Sequence, residues 1–379
     1  MRLAVIPDIL PPMQHDTGPQ SISAVRVLRI SVTDRCNFRC VYCMPEQGVR
    51  WLARDDILSF EEIAEVVRAA VDLHGIHRFK LTGGEPTVRH GLVDLVRMLR
   101  RIDGVEDLSL TTNGMLLSDL AGPLLESGLD RITVSIDSLD SERFKKITRT
   151  GDLQTVLRGL DRVADVGFTG TKINCVAMRG SNDDEFPDFA RMTLDRALTV
   201  RFIEYMPLGD AALMHVPEAL ATLAPDRFPK PTIADSEQGP AAGCGSQNRG
   251  QHAFIPESEI RQTIENEFGE LTPVDRGSEP GVGPANVYRV RGAAGRIGFI
   301  SAMSAPFCST CNRLRLTADG VLRSCLFEGG EVAIRELLRQ PMSIGEKRIS
   351  LAEAMTDCVR LKPVTHSAHG NQQMSRIGG

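Results

Sequence analysis

The sequence contains no run of roughly eighteen consecutive apolar residues, so it offers no candidate transmembrane helix. It also lacks an excess of positive charge: 44 Lys and Arg face 49 Asp and Glu, a formal net charge of −5. Such a balance argues against a dedicated, sequence-indifferent nucleic-acid binder, and any anionic ligand must be held by local basic clusters. Aromatic residues are scarce, at 5%. The first twelve residues carry one Arg and an apolar stretch broken by Pro7, without the long apolar run and small-residue cleavage site of a secretory signal. There is no low-complexity tract and no internal repeat beyond alternating strands and helices. These absences lead us to expect a soluble, cytoplasmic chain without membrane contact.

What is present is ordinary in bulk and unusual in detail. A length of 379 residues, 42% hydrophobic and 25% charged, suits one large α/β domain with an appendage, or two domains. The nine cysteines need a reason. An odd number, in a chain long enough to build a core, reads poorly as a disulfide framework and better as thiols or metal ligands.

Six β-branched or apolar runs read as strands: residues 28–34, 78–82, 107–111, 131–136, 172–177 and 200–205. Helical patterns separate them. The first begins at a capping box, Ser59 with Glu62, and can close at Gly75. This alternation predicts a parallel sheet. The unusual residues, 34–43, 82–86, 111–114, 135–138 and 204–206, follow successive strands, and a barrel gathers such ends into one mouth whereas an open sheet does not. The expected fold is therefore a partial (βα)6 TIM-like barrel with a C-terminal α+β domain. The expected divisions are an N-terminal extension 1–25, the barrel 26–208, an Ala/Gly/Pro-rich insertion or linker 209–252 without periodicity, and a C-terminal domain 253–379. In that last domain we expect a helix at 257–267, strands at 287–290 and 296–300, a hairpin over 313–323 turning at Asp319-Gly320, and a helix at 331–338.

The cysteines sort by position. Cys36, Cys40 and Cys43 form C-x3-C-x2-C after the first strand, and three thiolates on one loop can ligate three corners of a four-iron four-sulfur cluster, leaving one iron open to a small molecule. A structural zinc would need a fourth ligand, and the nearest histidines are His15 and His74. Cys308, Cys311 and Cys325 form C-x2-C-x13-C, which alone fits a cluster or a zinc site equally well; no histidine lies between His252 and His366, so a closed zinc site would have to recruit Cys358 or a distant group. Cys175, Cys244 and Cys358 read as bystanders.

The C-x3-C-x2-C loop with Tyr42 in its last gap and the Gly83-Gly84-Glu85-Pro86 run resemble the radical S-adenosylmethionine (SAM) superfamily. Within it, SVTDRCNFRCVYCMP, LTGGEP, TTNG, SIDSLD, RFIEYMPLGD, CNRLRLTADG and the terminal Gly-Gly resemble, in order, the GTP 3′,8-cyclase family of molybdenum cofactor biosynthesis. The resemblance implies a lyase with two 4Fe-4S clusters, the second on Cys308, Cys311 and Cys325, and SAM as cofactor. It implies abstraction of the ribose 3′ hydrogen of GTP by a 5′-deoxyadenosyl radical and closure onto guanine C8. It places SAM contacts on Tyr42, Gly84, Ser135 and Met206, and GTP contacts on Arg29, Lys80, Thr111, Lys172, Arg313, Leu314 and Arg315. Catalytic roles fall on Arg29, Gly378 and Gly379, the last two entering the active site as a side-chain-free tail. At Lys80 the family usually carries Arg, so here a point charge would replace a fork. The implied partners are GTP, an electron donor, the downstream cyclic pyranopterin monophosphate synthase and, as an option, a second copy of the chain. Two rivals remain: a radical SAM maturase with an auxiliary cluster acting on another substrate, and a zinc-stabilised binding protein.

Overall fold

The computed structural model describes residues 18–206, 208, 253–275, 281, 283–327 and 330–366. The insertion 209–252, Cys244, Gly378 and Gly379 lie outside the described residues. Six βα units come first. Strands β1 (Val27–Ser31), β2 (Arg78–Thr82), β3 (Asp107–Thr112), β4 (Arg131–Ser135), β5 (Lys172–Ala177) and β6 (Thr199–Glu204) pair in parallel, each with the next in sequence. Helices α1 (Phe60–His74), α2 (Leu92–Arg100), α3 (Leu117–Glu126), α4 (Ser141–Thr148), α5 (Leu153–Asp165) and α6 (Phe186–Asp195) form the crossovers, with α4 and α5 sharing the one between β4 and β5.

Local chemistry explains where these elements begin and end. Ser59 Oγ accepts from the Glu62 amide at 3.1 Å while Glu62 Oε2 accepts from the Ser59 amide at 2.7 Å, which satisfies two otherwise orphaned donors at the start of α1. Gly75 ends that helix in the left-handed conformation at φ 60°. Strand β1 stops at Ser31, short of the predicted Asp34, because the chain there turns into a loop: the Asp34 carboxylate accepts from the Leu52 amide at 2.6 Å instead of lying along the ladder.

The C-terminal strands extend the barrel sheet at both ends. Helix α7 (Glu257–Phe268) precedes β7 (Thr272–Pro273), β8 (Asn286–Arg289) and β9 (Arg296–Ile300), and β9 pairs in parallel with β6. At the other end β10 (Arg313–Leu316) pairs in parallel with β1 and opens a meander with β11 (Val321–Arg323) and β12 (Glu331–Ala333). The order is β12-β11-β10-β1-β2-β3-β4-β5-β6-β9-β8-β7, twelve strands in one mostly parallel sheet. Helices α8 (Arg335–Arg339) and α9 (Ile344–Arg360) close the described chain, α9 packing on α1.

One expectation is corrected. The helix predicted over 331–338 is a strand followed by a short helix, because Val321–Arg323 presents an open edge that Glu331–Ala333 fills in register, Arg323 opposite Glu331. The buried Arg323 guanidinium and the Glu331 carboxylate pair across that ladder. No described helix is long and apolar enough to cross a membrane.

Candidate active site

The loop after β1 carries the first cysteine triplet, and its position is fixed from two sides. On one side the Gly84 amide donates to the Thr33 carbonyl and the Glu85 amide to the Arg35 carbonyl, both at 2.8 Å. A Cβ on Gly84 would stand 2.5 Å from the Asp34 and Arg35 carbonyl oxygens, so only glycine lets the two backbones approach this closely. Glu85, 1% exposed, accepts from the Asn113 amide at 2.6 Å and the Thr112 hydroxyl at 2.6 Å, tying that junction to β3. On the other side the Arg39 and Val41 amides donate to the Thr148 and Ile147 carbonyls at the end of α4, at 3.0 and 2.9 Å.

Burial dominates the thiols of this loop. It pushes Cys36 up to about 11 and Cys43 up to about 12, and raises Cys40 as well. Such thiols stay protonated in neutral water until a soft metal centre supplies positive charge, so loading the site releases protons. The Tyr42 hydroxyl donates to Asp137 Oδ2 at 2.7 Å, and Asp137 Oδ1 accepts from the Val176 amide at 2.9 Å. Burial raises the Asp137 carboxyl to about 6 against the opposing pull of those two hydrogen bonds.

The second triplet sits in a different field. Cys308 opens a short 3-10 turn, Cys311 lies two residues ahead of β10, and Cys325 follows β11. Arg313 stacks over Phe307 at 4.9 Å and brings Nη2 to 3.8 Å from Cys311 Sγ. Lys362, 3% exposed, donates from Nζ to the Cys311 and Arg313 carbonyls, each at 3.1 Å. Burial alone would raise the Cys311 thiol; the charges of Arg313 and Lys362 overcome it and bring the thiol below its ordinary value.

Both triplets line one cavity of about 340 Å³ at the C-terminal ends of the strands. Tyr42, Gly84, Ser135 and Met206 line it, as do Arg29, Lys80, Thr111, Arg313 and Arg315. Lys172 lines instead an adjoining cavity of about 60 Å³, which shares Lys80 and Arg201 with the larger one. Leu314 is fully buried in the apolar core on the opposite face of β10, so only its main chain is available to a ligand.

The floor of the cavity is cationic by register. Arg315, Arg29 and Lys80 are direct neighbours across β10, β1 and β2, so three adjacent strands place a cation at one level of the inward face. Burial lowers the Arg29 pKa, and Arg315, Arg313 and Arg201 lower it further. Lys80 is lowered by burial and then by Arg201, Arg29, Lys172 and Arg131, although Thr133 Oγ1 accepts from its ammonium at 3.1 Å. Burial takes Arg315 to about 9, with Arg313 adding to the shift. Thr111 Oγ1 is buried with no hydrogen-bond partner among the described residues. Crowded, desolvated cations and an orphaned hydroxyl around a void are the chemistry of a polyanion site.

Sequence reasoning missed four residues that the fold brings here. Arg201 on β6 lines both cavities and donates from Nε to Asn174 Oδ1 at 2.9 Å. A signal was available, since Arg201 is a basic residue between apolar neighbours in a strand, as are Arg29 and Lys80, which the resemblance had placed on GTP. Asp137 lies in the stretch 135–138 already marked as following a strand, but nothing gave that residue a role, and Lys362 had no local signal. Glu204, 1% exposed at the end of β6, accepts from the Glu257, Met303 and Ser304 amides at 2.9 to 3.0 Å and so joins the barrel to the segment ahead of the second triplet. Among the described residues no three His, Cys, Asp or Glu side chains are drawn together as a single metal ion requires, and all eight described cysteines are free. The donor set is soft and three-fold at each wall, which fits a cluster bound by thiolates.

Two family models match successive parts of the chain. A profile of the Radical SAM superfamily matches residues 30–193, and one described as Molybdenum Cofactor Synthesis C matches residues 236–368, starting within the segment 209–252. A GTP 3′,8-cyclase of Pelotomaculum thermopropionicum is 42% identical over 359 residues, covering 94% of this chain and 98% of its own. One of Geobacter sulfurreducens is 41% identical over 361 residues, covering 94% and 97%. Among solved structures, Streptococcus suis SuiB bound to S-adenosylmethionine aligns over 86% of this chain and 68% of its own, with a TM-score of 0.49 and 14% identity.

Proposed function

The chain belongs to the GTP 3′,8-cyclase family of radical SAM enzymes, and from that membership we propose that the cavity lined by both triplets holds SAM against one cysteine triplet and GTP against the other. The enzyme is a lyase that converts GTP to (8S)-3′,8-cyclo-7,8-dihydroguanosine 5′-triphosphate, the first step of molybdenum cofactor biosynthesis. The observation that carries the assignment of roles is that both triplets and the row Arg315, Arg29 and Lys80 line one void.

Cys36, Cys40 and Cys43 would hold a 4Fe-4S cluster that, with SAM bound, would supply the radical chemistry. The residues of the chain bind, orient and exclude water. Tyr42, held by Asp137, forms the wall beside the first triplet; Ser135 offers a hydroxyl and Met206 an apolar surface. Gly84 acts by fixing the cysteine loop as much as by admitting a ligand. Arg29, Lys80 and Lys172, with Arg201, take the triphosphate, whose charge relieves their mutual repulsion. Lys80 grips as a point charge, already oriented by Thr133. Arg313 and Arg315 line the wall between that tail and the second triplet, where Cys308, Cys311 and Cys325 would hold a second cluster beside the guanine base. Gly378 and Gly379 would enter the cavity as a tail without side chains. An external electron donor and a consumer of the cyclised nucleotide, the pyranopterin monophosphate synthase, complete the set of partners.

Anaerobic reconstitution tests this. About eight iron and eight sulfide per chain are expected, and SAM with a strong reductant should form 5′-deoxyadenosine in a GTP-dependent manner. Iron at one triplet only, or no response to GTP, overturns the two-wall assignment; a response to a peptide in place of GTP would favour the maturase alternative. Removing Gly378 and Gly379 should leave GTP binding and thermal stability unchanged while lowering cyclised product by roughly tenfold or more through lost positioning. Full activity of the truncated chain would remove the tail from the site.

A further inference from the structure

Arg149 is the one non-glycine residue with positive φ among the described residues, at φ 63° and ψ −37°, immediately after α4. That position at the end of a helix is where glycine is favoured, because a side chain there crowds the backbone. An arginine is kept in it nonetheless. The same residue's Nη1 donates to the Arg39 carbonyl at 2.8 Å and to the Met44 carbonyl at 3.1 Å.

Those two carbonyls bracket the segment that carries Cys40 and Cys43. Between them the chain closes on itself, the Cys43 and Met44 amides both donating to the Cys40 carbonyl at 3.0 Å. One guanidinium nitrogen therefore pins both ends of the turn that sets the spacing of two thiols. The neighbouring residue extends the clamp, with Thr150 Oγ1 donating to the Asn37 carbonyl at 2.7 Å, one residue past Cys36. Reversing the backbone at 149 is what turns this side chain back over the loop, so the unfavourable conformation and the two hydrogen bonds are one device.

We propose that Arg149 is a positioning residue for the first cluster, touching neither cluster nor SAM and fixing the loop on which both depend; this rests on the reading that Cys36, Cys40 and Cys43 hold that cluster. Outer contacts of this kind typically change metal retention by ten- to a hundredfold. The test uses the full-length chain reconstituted with iron and sulfide. Arg149→Gly relieves the backbone and removes the staple, so its apo form should melt at or above the wild-type temperature while the first cluster is lost to a chelator roughly tenfold faster or more. Its reduced electron paramagnetic resonance signal should broaden and respond less to SAM. Arg149→Asn, too short to reach either carbonyl, should repeat the loss of the cluster, and Arg149→Lys, which keeps a donor, should fall between. Wild-type retention and an unchanged SAM response in the Gly and Asn variants would overturn the role of Arg149. A wild-type chain in which the Cys36, Cys40 and Cys43 site takes up no iron would overturn the underlying reading, and the proposal with it.

Discussion

Replacing Cys311 with serine is expected to halve the bound iron and to lower GTP-dependent cyclisation by roughly a hundredfold or more, while SAM cleavage without GTP continues. The asymmetry follows from where the residue sits. Cys311 leads into β10, whose next residues carry Arg313 and Arg315, and Lys362 fixes its carbonyl and that of Arg313 together. On the proposed reading, losing the cluster at this triplet would take away one wall of the cavity and leave the first triplet, on the loop after β1, untouched. Cys358 provides the control. Its thiol donates to the Gly330 carbonyl at 3.0 Å from within α9, and burial raises it to about 12. Cys358→Ala should cost about 1 to 3 kcal/mol of stability by cavity formation and a lost hydrogen bond yet keep all the iron. Loss of metal in that variant would mean that Cys358 is a fourth ligand and that the second site is closed, as a structural zinc would be.

The contrast between these two cysteines shows what the sequence could convey. Spacing alone separated two triplets from three bystanders, and the six βα strands were legible because each is a short apolar run set off from the next by a helical pattern. Register between distant strands was not legible. β10 beside β1 and β9 beside β6 are pairings across 286 and 97 residues, which no local periodicity encodes, and it is the first that puts Arg315 next to Arg29. The same limit explains the misread 331–338 segment, where an available sheet edge overrode a helical pattern. Gly84 shows a subtler gap: the resemblance placed it against SAM, and in the fold it also meets the backbone of the cysteine loop. Arg149 gave no signal at all, because a conformation at a helix end is a property of the folded backbone.

Arg29→Met is expected to make the empty protein more stable and the loaded one less so. Arg29 is desolvated within a strand, and the strongest charges acting on it are Arg315, Arg313 and Arg201, all of its own sign. A guanidinium does not shed its proton under ordinary conditions, so the repulsion from these like charges acts on it in the empty protein and a bound anion offsets it. Methionine preserves most of the volume and removes one charge from the row, which should raise apo stability by about 1 kcal/mol. The same change removes a charge-assisted contact to the triphosphate, weakening GTP by about a hundredfold. Thermal unfolding reads both effects together. At a GTP concentration one hundred times the wild-type Kd, ligand should stabilise the wild-type chain by about 2.7 kcal/mol and the variant, at about its own Kd, by only about 0.4 kcal/mol. The two melting curves should therefore cross as GTP is added, the variant higher in its absence and the wild type higher in its presence. Inorganic triphosphate should reproduce the crossing if the row holds the phosphates, whereas parallel shifts of both proteins with GTP would place Arg29 outside the substrate grip.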